Sequence, residues 1–153
     1  MLDCLNHIAL ISINLMNGDS KKHMIKKIKC FFDNDSGTLF VAGTSDLHDV
    51  WDDLKIPLGL TKHSRRYKQA DEELKKHGDN VKDLVGHSLG GATILELDKN
   101  KGNKFNTTTY GAPVFSTKGG ERYRNYGDPV SIFDRGAHSD LKMTINPHTY
   151  QDY

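Results

Sequence analysis

Apolar residues recur along this chain with two periods. Residues 2–16 place Cys4, Ile8, Ile11 and Leu15 at helical spacing with Leu5 alongside, and Asn17-Gly18 closes the segment. That spacing predicts a helix packed on the core, with lipid contact as the alternative use of its apolar face. Cys30-Phe31-Phe32-Asp33 and Thr38-Leu39-Phe40-Val41-Ala42 flank Asn34-Asp35-Ser36-Gly37, which reads as a β-hairpin. Leu47, Val50 and Leu54 have helical spacing around Trp51, and Pro57-Leu58-Gly59 breaks the run. A second helix is predicted from Thr61, as N-cap, to about His77, with Tyr67, Ala70 and Leu74 on its buried face and Gly78 as the stop.

A strand over 81–85 comes next, from Val81, Leu84 and Val85. A helix follows, with Ala92, Leu95 and Glu96 on one stripe, Ile94 and Leu97 beside it, and Asn100-Lys101-Gly102 at its end. Lys104 to Tyr110 is β-rich and runs into Gly111-Ala112-Pro113. Glu121 to Tyr126 reads as a further short strand, and Leu141 to Ile145 alternates like one. Strands alternating with helices predict an α/β fold with a mostly parallel sheet, helices on both faces and the hairpin as an antiparallel N-terminal edge. No linker or repeat divides residues 1–153, so a single domain is expected. Ligands on such a sheet belong at the carboxyl ends of its strands, where Thr44, Ser88 and Asp128 converge.

Between the 81–85 strand and the helix after it stands Gly86-His87-Ser88-Leu89-Gly90, a G-x-S-x-G. A serine on a sharp strand-to-helix turn has its Oγ pushed clear of the sheet, and glycines are needed where the strand and helix come too close for a Cβ. A serine hydroxyl is a poor nucleophile at neutral pH, so it needs a base, and the base needs an orienting carboxylate. On this fold the chain order is Ser, acid, His. Only His138 and His148 lie downstream of Ser88, and Asp128 precedes both. His148, in a loop after a strand, is the favoured base, with His138 as the alternative. Asp128, between a strand and Pro129, is the favoured acid, with Asp134 and Asp140 as rivals. An oxyanion would take one hydrogen bond from the Leu89 N–H and a second from Thr44, in the loop after an earlier strand.

Composition narrows the setting. The 153 residues carry a net charge of +1, which does not fit a nucleic-acid binder. The basic run Lys21 to Lys29 reads as a solvated face, with an anionic membrane surface as its other use. The two cysteines, Cys4 and Cys30, form no disulfide framework and read as buried thiols. No Cys/His cluster calls for a metal, and no cofactor is expected. The run Ile8 to Met16 is broken by Ser12 and Asn14, and Asp3 stands where a signal peptide has basic residues. No transmembrane segment is expected either. A cytoplasmic setting is the default, with a viral particle or another export route as alternatives. The apolar span Leu47 to Arg66 is expected to wall an acyl site or to pack on the core.

The ordered blocks Val41-Ala42-Gly43-Thr44, Trp51-Asp52-Asp53-Leu54, Gly86-His87-Ser88-Leu89-Gly90-Gly91-Ala92, Tyr110-Gly111-Ala112-Pro113, Asn125-Tyr126-Gly127-Asp128-Pro129-Val130 and Pro147-His148-Thr149-Tyr150 resemble those of the class 3 lipases. These are the fungal-lipase-like α/β hydrolases. The resemblance implies a minimal α/β-hydrolase fold, a Ser88–Asp128–His148 triad, and an oxyanion hole at Thr44 and Leu89. It also implies a lid between the first oxyanion residue and the elbow, the strand-to-helix turn that carries Ser88. Relative to the family, the N-terminal region is short, Ala42 stands where an arginine is frequent, and the stretch from elbow to acid is abbreviated. The expected activity is serine ester hydrolysis by a lipase or esterase, with phospholipid among the substrates considered. Its partners would be a lipid or small ester and, transiently, a lipid interface. The same triad could serve an acyltransferase or thioesterase, and a catalytically silent lipase fold used as a binding or particle-associated module is the remaining alternative.

Overall fold

Two four-residue strands, β1 (Cys30–Asp33) and β2 (Thr38–Val41), begin the described part of the chain. The computed structural model describes residues 30–43, 64–114, 119–132 and 134–140. The hairpin forms for local reasons. Asp33 accepts hydrogen bonds from the Asp35 N–H and the Ser36 hydroxyl, and Gly37 takes φ +71°, a backbone that favours glycine. The remaining elements are α1 (Arg65–His77), a 3₁₀ turn (Gly78–Asn80), β3 (Asp83–His87), α2 (Leu89–Asn100), β4 (Asn106–Tyr110), β5 (Glu121–Asn125) and β6 (His138–Asp140).

Among the described residues, six strands form one sheet in chain order. β1 pairs antiparallel with β2, and every later neighbour is parallel. This is the expected α/β architecture with an antiparallel edge hairpin. Because each crossover advances the sheet in one direction, the right-handed rule puts successive crossovers on one face. Both described helices lie there. Alternate strand positions Phe32, Leu39, Val41 and Leu84 meet Ala70 and Leu74 of α1 and Ile94 and Leu97 of α2 in one core cluster. Full burial of each leucine or isoleucine contributes about 1.5–3 kcal/mol. The opposite face carries Phe31 stacked on Phe40 at 6.3 Å, then Tyr110, Tyr123 and His138 in a row with 5.5 Å centroid spacings. Helices were expected on both faces. One face is so covered, and the helices expected over 2–16 and around Trp51 lie outside the described residues.

Several expected boundaries shift. The cap of α1 is Ser64, whose Oγ accepts from the Tyr67 N–H at 3.1 Å; Thr61 lies outside the described residues. β3 starts at Asp83, because Val81 follows directly on the 3₁₀ turn and donates back to Gly78. Of the α2 stripe, Ala92 is buried as expected, but Leu95 and Glu96 are half-buried while Ile94 and Leu97 are buried, since Gly90 and Gly91 turn a different side of the helix to the sheet. His138 opens a strand where the sequence reads as a polar stretch, and Leu141 to Ile145 lies outside the described residues. The Cys30 thiol is half-buried, and burial pushes its pKa up to about 11; Cys4 is not among the described residues. Among the described residues no helix is long and apolar enough to cross a membrane.

Candidate active site

Ser88 joins β3 to α2 at φ 54° and ψ −129°. A non-glycine residue in that region costs on the order of 1–3 kcal/mol and persists only where its surroundings dictate it. The surroundings are close-packed backbone. A Cβ on Gly86 would lie 2.7 Å from the backbone of Gly90 and Gly91, and one on Gly90 would lie 2.1 Å from the Val41 carbonyl oxygen. Strand, turn and helix are therefore pressed together at distances that only glycine allows. The Ser88 N–H donates to the Tyr110 carbonyl at 2.9 Å, which ties the turn to β4, and the serine is fully buried at 0% exposure. Gly43, two residues beyond β2, completes the surround. A Cβ there would stand 2.7 Å from the Ser88 Cβ and 3.3 Å from its Oγ. The loop expected to supply an oxyanion donor thus touches the serine, although Thr44 itself lies outside the described residues. Leu89 is the first residue of α2, and a helix leaves its first four N–H groups without an intrahelical acceptor.

Asp128 follows β5 after the turn Tyr126-Gly127, where Gly127 takes φ +82°. It is 1% exposed. Its Oδ1 accepts from the Val130 N–H at 2.9 Å, and its Oδ2 accepts from the Ser131 hydroxyl. Ser88 and Asp128 leave β3 and β5 at the same end of the sheet with β4 between them. Two strand spacings amount to about 10 Å, too far for a direct hydrogen bond and wide enough for an imidazole between the two.

The rival acid Asp134 has a different partner. Its carboxylate faces Arg122 Nη1 at 3.5 Å, both side chains being buried, and it accepts from the Gly136 N–H at 3.1 Å. Burial raises its pKa above the ordinary carboxylate value against the opposing pull of Arg122. Asp140 closes β6, and its backbone is paired with Asn125. His138 lies in register with Tyr123 and, through Tyr110, with His87. That is three strands from the serine, about 14 Å at the usual spacing. His148 lies outside the described residues. Among the described residues no cluster of His, Cys, Asp and Glu is arranged to hold a metal ion.

The sequence reading missed the surroundings of Asp128. Ser131, Arg122 and the Arg124 guanidinium, which donates to the Ile132 carbonyl at 3.0 Å, all brace the loop that carries Asp128. A serine three positions after an aspartate is too common to stand out as a signal. Comparison with protein-family models, with curated proteins and with solved structures finds no match.

Proposed function

We propose that this α/β protein is a serine ester hydrolase of the α/β-hydrolase type, acting on carboxylic esters of lipids or lipid-like molecules. The observation that carries the reading is the backbone of Ser88, held at φ 54° between a strand and a helix by glycines with no room for a Cβ. A turn serine with no chemical task has no need of that strain. In the mechanism, His148 takes the proton of the Ser88 Oγ as the oxygen bonds to the ester carbonyl carbon. The carbonyl oxygen becomes an oxyanion held by the Leu89 N–H and by Thr44. Collapse expels the alcohol, which leaves with the proton from the imidazolium. Water, deprotonated by the same histidine, then releases the acid and frees the serine. Asp128 keeps the imidazole in the correct tautomer and stabilises its charged form.

A fluorophosphonate probe tests this directly. Wild-type protein should be labelled and Ser88→Ala should not. Equal labelling of the two would overturn the assignment. Esters of graded acyl length, offered below and above their aggregation point, then separate a lipase from a short-chain esterase.

A further inference from the structure

The loop from Tyr126 to Asp134 is more elaborate than a strand connection requires. Pro129 is exposed, but Asp128, Val130, Ser131 and Asp134 are each no more than 1% exposed. A buried serine hydroxyl has one proton to donate, and that of Ser131 goes to Asp128 Oδ2. The Val130 N–H occupies Oδ1, so both carboxylate oxygens are fixed by the loop itself. Ser131 is in turn held from behind. Its carbonyl accepts from the Asp134 N–H at 2.9 Å, and Asp134 faces Arg122 on β5. Arg124, two residues along the same strand, holds Ile132 by its carbonyl.

We propose that Ser131 is a positioning residue, whose hydroxyl, backed by the Arg122–Asp134 pair, fixes the plane of the Asp128 carboxylate for the catalytic imidazole. The inference rests on the ester-hydrolase reading. A carboxylate offers about four lone-pair sites, so two donors from the loop are compatible with an imidazole N–H as a further one. Hydrogen bonds to charged groups are the strong ones, and a carboxylate that rotates away orients the base less well. The loss should fall on turnover, because the imidazolium that Asp128 stabilises forms only along the reaction path.

The test measures hydrolysis of a short-chain p-nitrophenyl ester and the rate of fluorophosphonate labelling at Ser88, in wild type, Ser131→Ala, Ser131→Thr, Asp128→Asn and the double variant Asp128→Asn/Ser131→Ala. Ser131→Ala should lower kcat about tenfold and leave KM within about twofold, and Ser131→Thr, which keeps the hydroxyl, should recover most of the loss. In the Asp128→Asn background the same Ser131→Ala change should slow labelling by less than about twofold, since its effect runs through the missing carboxylate. Equal losses in both backgrounds, or an unchanged kcat in the first, would overturn the proposal. If Ser131→Ala does not fold, Ser131→Cys, nearly isosteric and a weak donor, is read by the same criteria. A wild type that neither turns over nor labels would instead overturn the ester-hydrolase reading, and this inference with it.

Discussion

Ser88 and Asp128 are both buried at the same end of the sheet, yet they are held in place by different physics. Around Ser88 the constraint is backbone against backbone. Gly86, Gly90 and Gly43 let the chain approach within distances that exclude a Cβ, so the serine has nowhere else to go. Around Asp128 the constraint is side-chain hydrogen bonding, through Ser131, Asp134, Arg122 and Arg124. Steric exclusion is close to all-or-none, because overlap energies rise steeply. Hydrogen bonds are graded, and each can be removed alone at a limited cost. The elbow should therefore fail abruptly on substitution, and the acid loop by degrees.

The largest effects test whether the two regions share one chemistry. Ser88→Ala and His148→Ala should each lower kcat on the order of 10⁴- to 10⁶-fold, whereas His138→Ala, three strands away, should stay within about threefold. A large loss in His138→Ala with normal activity in His148→Ala would reverse the assignment of the base. Next comes Gly90→Ala, whose new Cβ would sit 2.1 Å from the Val41 carbonyl oxygen. It should cost more than about 4 kcal/mol in denaturant unfolding, or prevent folding outright. A mild loss there would mean that the elbow can relax.

The acid loop should respond less. Asp134→Ala leaves the buried Arg122 guanidinium without this carboxylate and should destabilise by about 3 kcal/mol. Asp134→Asn should cost less, because burial already disfavours the charged carboxyl and the amide oxygen still accepts from Gly136. Matching losses in the two variants would mean that charge, and not shape, holds the loop. Gly102→Ala provides a control. Its φ of +88° is left-handed but nothing lies near its Cβ, so only backbone strain of about 1–2 kcal/mol is expected.

The smallest effect is electrostatic and remote from both regions. Burial acts to raise the Asp71 carboxyl, but hydrogen bonds from Lys101 and Lys75 outweigh it and hold its pKa below the ordinary aspartate value of 3.8. A depressed folded value gives stability that is present above 3.8 and lost as pH falls below it. Between about pH 5 and about pH 2, wild type should therefore lose stability more steeply than Asp71→Asn in urea titrations. Parallel curves would show that the exposed lysines contribute nothing measurable.

Much of the local structure was legible in the sequence because local chemistry makes it. The Asn34-Asp35-Ser36-Gly37 turn satisfies its own backbone, Gly78 ends α1, and the glycines of G-x-S-x-G announce a close approach. Chain order and alternating elements were enough for the mostly parallel sheet and its antiparallel edge, since crossover handedness leaves few other arrangements. The burial of Ile94 and Leu97 in place of Leu95 and Glu96 was not legible. Helical period names a stripe, but Gly90 and Gly91 decide which stripe meets the sheet.

For the proposed acid, sequence left three candidates. Asp128, Asp134 and Asp140 all follow Ser88 in the required order, and spacing alone cannot rank carboxylates six residues apart. Tertiary structure gives two of them different partners, because Arg122 reaches Asp134 while Ser131 and Val130 turn to Asp128. It also removes His138 from the serine by placing it on the sixth strand. The division has a physical cause. A steric requirement is written into the residue that meets it, as glycine is at 86 and 90. The partner of a buried charge is set by whichever distant side chain the fold brings within about 4 Å, and residue order along the chain does not encode that distance.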